Sequence, residues 1–375
     1  MMKIGFDAKR ITHNGTGLGN YGRIIINSFT EQYPQNEYFL YSPGPGNVKL
    51  RNQLQPSRAI SFRYPTGADK LFPPFWRTFT VTTQVRKDKA DLFHGLSNEL
   101  PLNIRKSKIP SVVSVHDLIF LRYPHLYSAI DRRIYAYKFK QACLQSDRII
   151  AVSEQTKRDI ISFFAIDEDK IDIVYSRCNL AFYGQVSAEE KAAVREKYAL
   201  PHSYILYVGS IEERKNLLLI VKALKGLRED VALLSIGRRT PYMDTVEAYI
   251  KENNIRKRVR FLTDVPFADL PAFYQMAEVF VYPSFFEGFG LPILEALVSG
   301  VPVIAATGSC LEEAGGPGSL YTDPYNEDEL RDMLRMVLTD KALAGSMRVK
   351  GLAYSKAFAN NTLAGELMEV YRRVL

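Results

Sequence analysis

No window of this 375-residue sequence approaches the ~18 uninterrupted apolar residues of a membrane-crossing helix. The opening MMKIGFDAKR also lacks the apolar stretch of a secretory signal. Both absences predict a cytoplasmic chain. Cysteine is scarce: Cys143, Cys178 and Cys310 stand alone with no C-x-x-C spacing, which excludes a disulfide framework and a zinc site. The dinucleotide fingerprint G-x-G-x-x-G is missing in correct form, because NGTGLGNYGR places Asn20 and Tyr21 before Gly22. Asp167–Glu168–Asp169 superficially fits a metal-binding Asp-x-Asp, but it lies between a helix and an apolar run at 171–175, where it reads as a charged surface turn. No catalytic metal is expected, no lysine sits in a recognisable Schiff-base setting, and no nucleic-acid recognition module is visible.

What is present suits two soluble domains. Apolar residues make up 46% of the chain and charged residues 24%, ample for two cores at this length. The net charge of +8 is unevenly placed. Through residue 180 there are 26 Lys+Arg against 16 Asp+Glu, or +10, which leaves 8 − 10 = −2 for the remainder. A basic first half fits anionic lipid head groups or a diphosphate-linked acceptor. Apolar strand-like runs at 3–8, 38–41, 91–94 and 111–116 alternate with helical stretches, and the pattern restarts at 204–208 and 231–236. That alternation is the doubly wound α/β pattern. Residues 43–73 are rich in proline and glycine and fit no element clearly.

The most informative stretch is YPSFFEGFGLPILEALVSGVP, residues 282–302. An apolar strand through Tyr282 leads into a loop with Gly288 and Gly290, and Pro292 opens a helix running to about Ser299. A strand, a glycine loop and a helix N-terminus together make an anion site. Glu287 and Glu295 frame it, and a phosphate cradle alone has no use for two carboxylates. A ligand with both a diphosphate and sugar hydroxyls does, since carboxylates accept strongly from O–H groups. The plain alternative is a strand–turn–helix with a capping glutamate.

EGFGLPILE, with seven residues between its glutamates, resembles the donor-binding segment of the retaining, GT-B-fold glycosyltransferases of family 4. The resemblance implies two Rossmann-like doubly wound domains facing a cleft. It further implies that Glu287 contacts the transferred sugar, that Gly288, Phe289, Gly290 and Leu291 contact phosphate and sugar, and that Glu295 holds the ribose. YVGSIEERKN, residues 207–216, resembles the family's second motif; it places Gly209 beside the donor and assigns Arg214 and Lys215 to the leaving diphosphate, a planar fork beside a point charge. An Arg–Lys pair at a helix start is otherwise ordinary solvated charge. VVSVHDLIFLRYP resembles one subgroup, in which a histidine at the position of His116 lies near the donor sugar. Asp117 orients that imidazole, contacts the acceptor or caps the next turn. Gly17 and Gly19, in a glycine loop before a helix starting near Asn20, map to the loop near the donor phosphates; the alternative is a plain helix-entry turn. Val265 maps to the segment whose backbone meets the nucleobase, and AVSEQTKRDI to the family's strand–Ser–helix segment.

Two departures stand out. Ser176–Arg177–Cys178–Asn179 replaces the family's usual Asn-Gly, and KAFANN lacks the tryptophan that commonly precedes the final crossing. The expected division is 1–180, the acceptor-side domain, completed by a crossover helix at 362–375, and 188–361, the donor-binding domain. The resemblance implies metal-independent hexosyl transfer without a cofactor, with GDP-mannose the leading donor and UDP-sugars the alternative. The acceptor is a saccharide, lipid-linked or growing, in cell-surface polysaccharide synthesis. The helix at 127–145, with Arg132, Arg133, Lys138 and Lys140 among Tyr135, Tyr137 and Phe139, together with Arg105, Lys106 and Lys108, reads either as a basic face for peripheral contact with an anionic membrane or as an ordinary solvated helix. Rival functions are another enzyme of this fold, a non-catalytic nucleotide-binding protein and a NAD-dependent dehydrogenase.

Overall fold

The computed structural model describes the chain from Met1 to Leu375, the side chain of Asn360 excepted. The chain forms two compact units, Met1–Arg177 with Ala359–Leu375, and Cys178–Phe358. The changes of unit therefore fall a few residues before those expected from the sequence.

The first unit is built on a parallel sheet of order β3-β2-β1-β4-β5-β6-β7. Its strands are β1 Lys3–Asp7, β2 Glu37–Tyr41, β3 Ile60–Arg63, β4 Leu92–Gly95, β5 Ser111–Val115, β6 Arg148–Ala151 and β7 Ile171–Ile173. The central strands β4 and β5 are buried at every residue, as expected when helices cover both faces of a parallel sheet. Strand β3 lies in the segment that the sequence left unplaced; it is an edge strand, half-buried throughout, and carries no continuous apolar run. The helix expected near Asn20 begins at Gly17 and runs to Gln32. The glycine loop is therefore largely the first turn of that helix. Helix Asn360–Arg372 packs against helix Gly17–Gln32 and stacks the Tyr371 ring on Phe29 with centroids 5.6 Å apart.

The second unit holds a parallel sheet of order β10-β9-β8-β11-β12-β13. These strands are β8 Ser203–Val208, β9 Val231–Ile236, β10 Val259–Leu262, β11 Val279–Tyr282, β12 Val303–Ala306 and β13 Leu320–Thr322. Each sheet reverses its winding once, between β1 and β4 in the first and between β8 and β11 in the second. Crevices outside the carboxyl ends of such neighbouring strands are where open α/β sheets bind ligands. No helix among the described residues is long and apolar enough to cross a membrane.

Candidate functional site

At the β8/β11 reversal the second unit gathers Gly209, Arg214, Lys215 and Glu287. Gly209 directly follows β8, and the Lys215 side chain lies over it: a Cβ added there would sit 3.3 Å from Nζ and 3.4 Å from the Tyr207 hydroxyl. Arg214 Nη1 pairs with Glu287 Oε1 at 2.7 Å, donates to the Phe286 carbonyl, and Nη2 lies 3.7 Å from Glu212. The Phe285 amide donates to the Arg214 carbonyl at 2.9 Å, so the loops after β8 and β11 are laced together. The adjacent cations are thus not equivalent. Arg214 is committed to a protein carboxylate, whereas Lys215 has no ion-pair partner among the described residues and lies 5.8 Å from the Tyr282 ring centroid. Asn216 fixes the turn behind them, with positive φ and its amide donating to Pro283 and Pro324 carbonyls.

Glu287 also accepts from Tyr282 Oη at 3.1 Å and Ser284 Oγ at 3.0 Å. Burial pushes its carboxyl up, but Arg214 and Lys215 outweigh burial and hold it below the usual carboxylate range. It is an ionised acceptor. Gly290 takes φ 106° immediately before helix Leu291–Val298, and a Cβ there would meet Leu311 Cδ2 at 2.9 Å. Both the left-handed backbone and the tight packing require glycine. Pro292 sits in the first helical turn, where its missing N–H is no loss. The Phe289 ring turns to the core, against Phe358 at 5.6 Å, so only its backbone is placed for a ligand.

Glu295 stands on the same helix and accepts from Tyr274 Oη at 2.8 Å. Burial without a cation raises its carboxyl to about 7. Two carboxylates eight positions apart are therefore set to opposite protonation tendencies, one by an arginine and one by its absence. Phe280 lies between Tyr274 and Tyr282 at 5.3 and 5.9 Å, so the two glutamates hang from the ends of one aromatic row. Val265 follows β10, two strands out from the reversal; it is on the same carboxyl edge but is not brought into the Glu287 cluster.

The remaining expected residues belong to the first unit. His116 directly follows β5. Its Nε2 bonds the Leu96 carbonyl at 2.8 Å and its backbone N–H donates to Asn98 at 2.7 Å. Since a carbonyl only accepts, Nε2 carries the hydrogen and Nδ1 of the neutral ring is an acceptor. Burial lowers its pKa to about 4, so the ring is neutral near pH 7. Asp117 caps the following turn, accepting from the Ile119 amide at 3.2 Å. Gly19 is required sterically, since a Cβ would lie 1.8 Å from the Asn14 carbonyl oxygen, whereas Gly17 faces open space. At the acidic turn, Asp167 accepts from the Asp169 amide and Glu168 pairs with Lys157. Among the described residues no cluster of three or more His, Cys, Asp or Glu is placed to hold a metal.

Sequence reasoning missed a buried chain beside His116. Tyr371 Oη bonds His94 Nδ1 at 2.7 Å, His94 Nε2 bonds Ser114 Oγ at 2.8 Å, and Ser114 bonds Tyr21 Oη at 2.8 Å. The Tyr21 ring then meets His116 edge-on at 4.6 Å. Its directly bonded members are up to 277 residues apart, and no local pattern announces such a network.

Two family models match the chain, one described as Glycosyltransferase Family 4 over residues 28–181 and one as Glycosyl transferases group 1 over residues 188–352. O-antigen chain mannosyltransferase B of Escherichia coli is 28% identical over 99% of this chain and 100% of its own length. D-inositol 3-phosphate glycosyltransferase of Corynebacterium glutamicum (strain R) is 25% identical over 95% and 92%. Among solved structures, sucrose-phosphate synthase of Thermosynechococcus elongatus aligns with TM-score 0.81 at 20% identity over 100% of this chain and 99% of that one. Anabaena HepE in complex with UDP-glucose aligns with TM-score 0.79 at 18% identity over 100% of both.

Proposed function

Because the chain belongs to the family 4, group 1 glycosyltransferases and has the GT-B fold, we propose that it moves a hexose with retention from a nucleotide sugar to a saccharide acceptor. The observation that carries this reading is the β8/β11 reversal, which sets Lys215, the Arg214–Glu287 pair and Gly290 at one carboxyl edge. The diphosphate is assigned to Lys215, Arg214 and the first turn after Gly290, which supply positive charge without a metal or cofactor. Glu287, ionised, accepts from a hydroxyl of the transferred sugar, and Glu295 from the ribose. Gly209 leaves room for the phosphates, and Val265 is assigned to the base.

His116 is assigned to the sugar as a neutral acceptor through Nδ1. Gly17 and Gly19 belong to the phosphate side of the first unit, and Asp117, which caps the turn after His116, is assigned to orienting the imidazole or meeting the acceptor. No residue in the sequence stands out as a covalent nucleophile, so in this reading the acceptor oxygen attacks the face that the diphosphate leaves. The new C–O bond forms as the anomeric C–O(P) bond breaks, and the acceptor proton passes to the departing phosphate oxygen.

GDP-mannose is the preferred donor, because the E. coli relative is described as an O-antigen chain mannosyltransferase. A UDP-sugar is the alternative, since HepE was solved with UDP-glucose. The acceptor is lipid-linked or growing oligosaccharide, and the protein is cytoplasmic with peripheral contact at an anionic membrane through its basic first unit. Product analysis by NMR with GDP-mannose is expected to give the donor's anomeric configuration, and His116→Ala is expected to slow turnover with nucleotide affinity intact. An inverted product would overturn the front-face mechanism.

A further inference from the structure

The first unit exposes an apolar edge that its own fold leaves uncovered. Along residues 67–80, Trp76 is buried while Leu71, Phe72 and Phe75 are 76%, 69% and 54% exposed, and Phe79 is exposed beside Phe75, with ring centroids 5.0 Å apart. This exposure is built into the segment. Trp76 Nε1 donates to Gln84, Thr80 Oγ1 donates to Asp69, and Arg77 is gripped by Asp7 at 2.6 Å and Glu99 at 2.7 Å. With Trp76 and Arg77 turned inward, the phenylalanines are held outward.

A second strip lies beside it. In helix Ala129–Gln145, Ile130, Ile134 and Lys138 recur at four-residue intervals and share one face, and Lys138 reaches Glu99 at 3.6 Å. Ile130 and Tyr137 are 71% and 58% exposed, and Ile134 is exposed between them. Both strips thus flank the Asp7–Arg77–Glu99 cluster. Asp7 ends β1 and Glu99 follows β4, so the apolar edge borders the carboxyl-end reversal of the first sheet.

Exposed cations lie within the same two segments: Lys70 beside Leu71, and Arg133 and Lys140 on the helix. Residues 1–177 carry 26 Lys+Arg against 16 Asp+Glu, or +10. We infer that Leu71, Phe72, Phe75 and Phe79, with Ile130, Ile134 and Tyr137, form the surface on which an anionic lipid bilayer docks. A second copy of this chain would bring the same positive charge against itself, since a twofold interface apposes identical patches. An anionic bilayer offers complementary charge and an apolar interior for the aromatic rings. This deepens the membrane contact proposed above and places an acceptor carried in the bilayer beside the first sheet's reversal.

The test uses the full chain and vesicles of phosphatidylcholine alone or mixed with phosphatidylglycerol, read by co-sedimentation. The wild type is expected to bind only the anionic vesicles. Phe72→Ser/Phe75→Ser should lower partition by roughly tenfold or more at both low and high salt, and Arg133→Glu/Lys140→Glu mainly at low salt. Thermal shift with GDP and UDP checks folding and the donor site separately. Both variants should keep the wild-type shift, so loss of vesicle binding is not loss of structure. Absence of wild-type binding to anionic vesicles, equal binding to both vesicle types, or a dimer in light scattering that Phe72→Ser/Phe75→Ser dissociates would each overturn the docking surface. A failed nucleotide shift beside intact vesicle binding would instead overturn the transferase reading.

Discussion

Arg214→Ala is expected to lower turnover by roughly a hundredfold to a thousandfold, the usual effect of removing one preorganised group from a developing charge. It is also expected to destabilise the second unit. Arg214 and Glu287 are both largely buried, with side chains 12% and 14% exposed. Removing one member of a buried pair leaves the other uncompensated and costs about 3–5 kcal/mol in well-buried examples. The lower end applies here, because Lys215 still faces Glu287.

The pH dependence has a definite sign. In the wild type the Glu287 carboxyl is held below its ordinary value, so its contribution to stability is present above that value and is lost as pH falls through the folded pKa. Without Arg214, burial dominates and the carboxyl rises, so the variant should lose stability as pH rises instead. Thermal midpoints between about pH 3 and pH 8, which take in the wild-type loss below the ordinary carboxylate value, check the stability effect, and turnover at neutral pH checks the chemistry. Full activity in a stable Arg214→Ala would remove the arginine from the chemistry and leave it a loop staple.

Glu295 should make nucleotide binding depend on pH near neutrality. With its carboxyl near 7, the free protein holds a proton there in mildly acidic solution, while acceptance from two ribose hydroxyls calls for the carboxylate. Affinity for the nucleoside diphosphate should therefore fall about tenfold per pH unit below 7 and level off above it, with one proton released on binding. The unliganded protein follows the opposite course. A folded pKa raised above the unfolded one gives a contribution that is full below the unfolded value and fades as pH rises through about 7.

Glu295→Gln should abolish both trends. It should bind nucleotide more weakly than wild type at pH 8, where the charged hydrogen bonds are lost, yet be the more stable unliganded protein there. Calorimetric titration in two buffers of different ionisation enthalpy reads the released proton. A flat affinity profile in the wild type would mean that Glu295 does not accept from the ligand.

These two residues also show what was legible in the sequence. Strand β11, Gly290 and helix Leu291–Val298 fall within a residue of expectation, because apolar period, glycine and first-turn proline are local signals. The carboxylates were identifiable by type and spacing, but not their opposed environments. These depend on Arg214, 73 positions before Glu287, and on the burial of Glu295, which its bond from Tyr274 offsets only in part; no spacing rule connects either to the sequence. The inequality of Arg214 and Lys215 was invisible for the same reason.

Strand β3 was missed because its alternation, Ile60-Ser61-Phe62-Arg63, lasts only four residues, is half-buried throughout, and sits inside a stretch rich in proline and glycine. The helix start at Gly17 was missed because glycine reads as loop, whereas Gly19 is there to let the Asn14 carbonyl approach. Arg177, a departure from the family's usual pair, proves to be a buried tie. Its guanidinium bonds the Tyr175 and Ala359 carbonyls, Thr362 and Glu366, across more than 180 residues of sequence. Only the folded chain brings those groups together.

The central claim is that the β8/β11 reversal binds a nucleoside diphosphate of a sugar donor. The most direct measurement is thermal stability with GDP, UDP, ADP and NAD, each at about a hundred times a plausible dissociation constant, where binding to the folded state adds ~2.7 kcal/mol. A rise selective for GDP or UDP, lost in Glu295→Ala, is the predicted result and identifies the base. A rise with NAD alone, or with none of the four, would contradict the site assigned to Lys215, Arg214, Glu287 and Glu295.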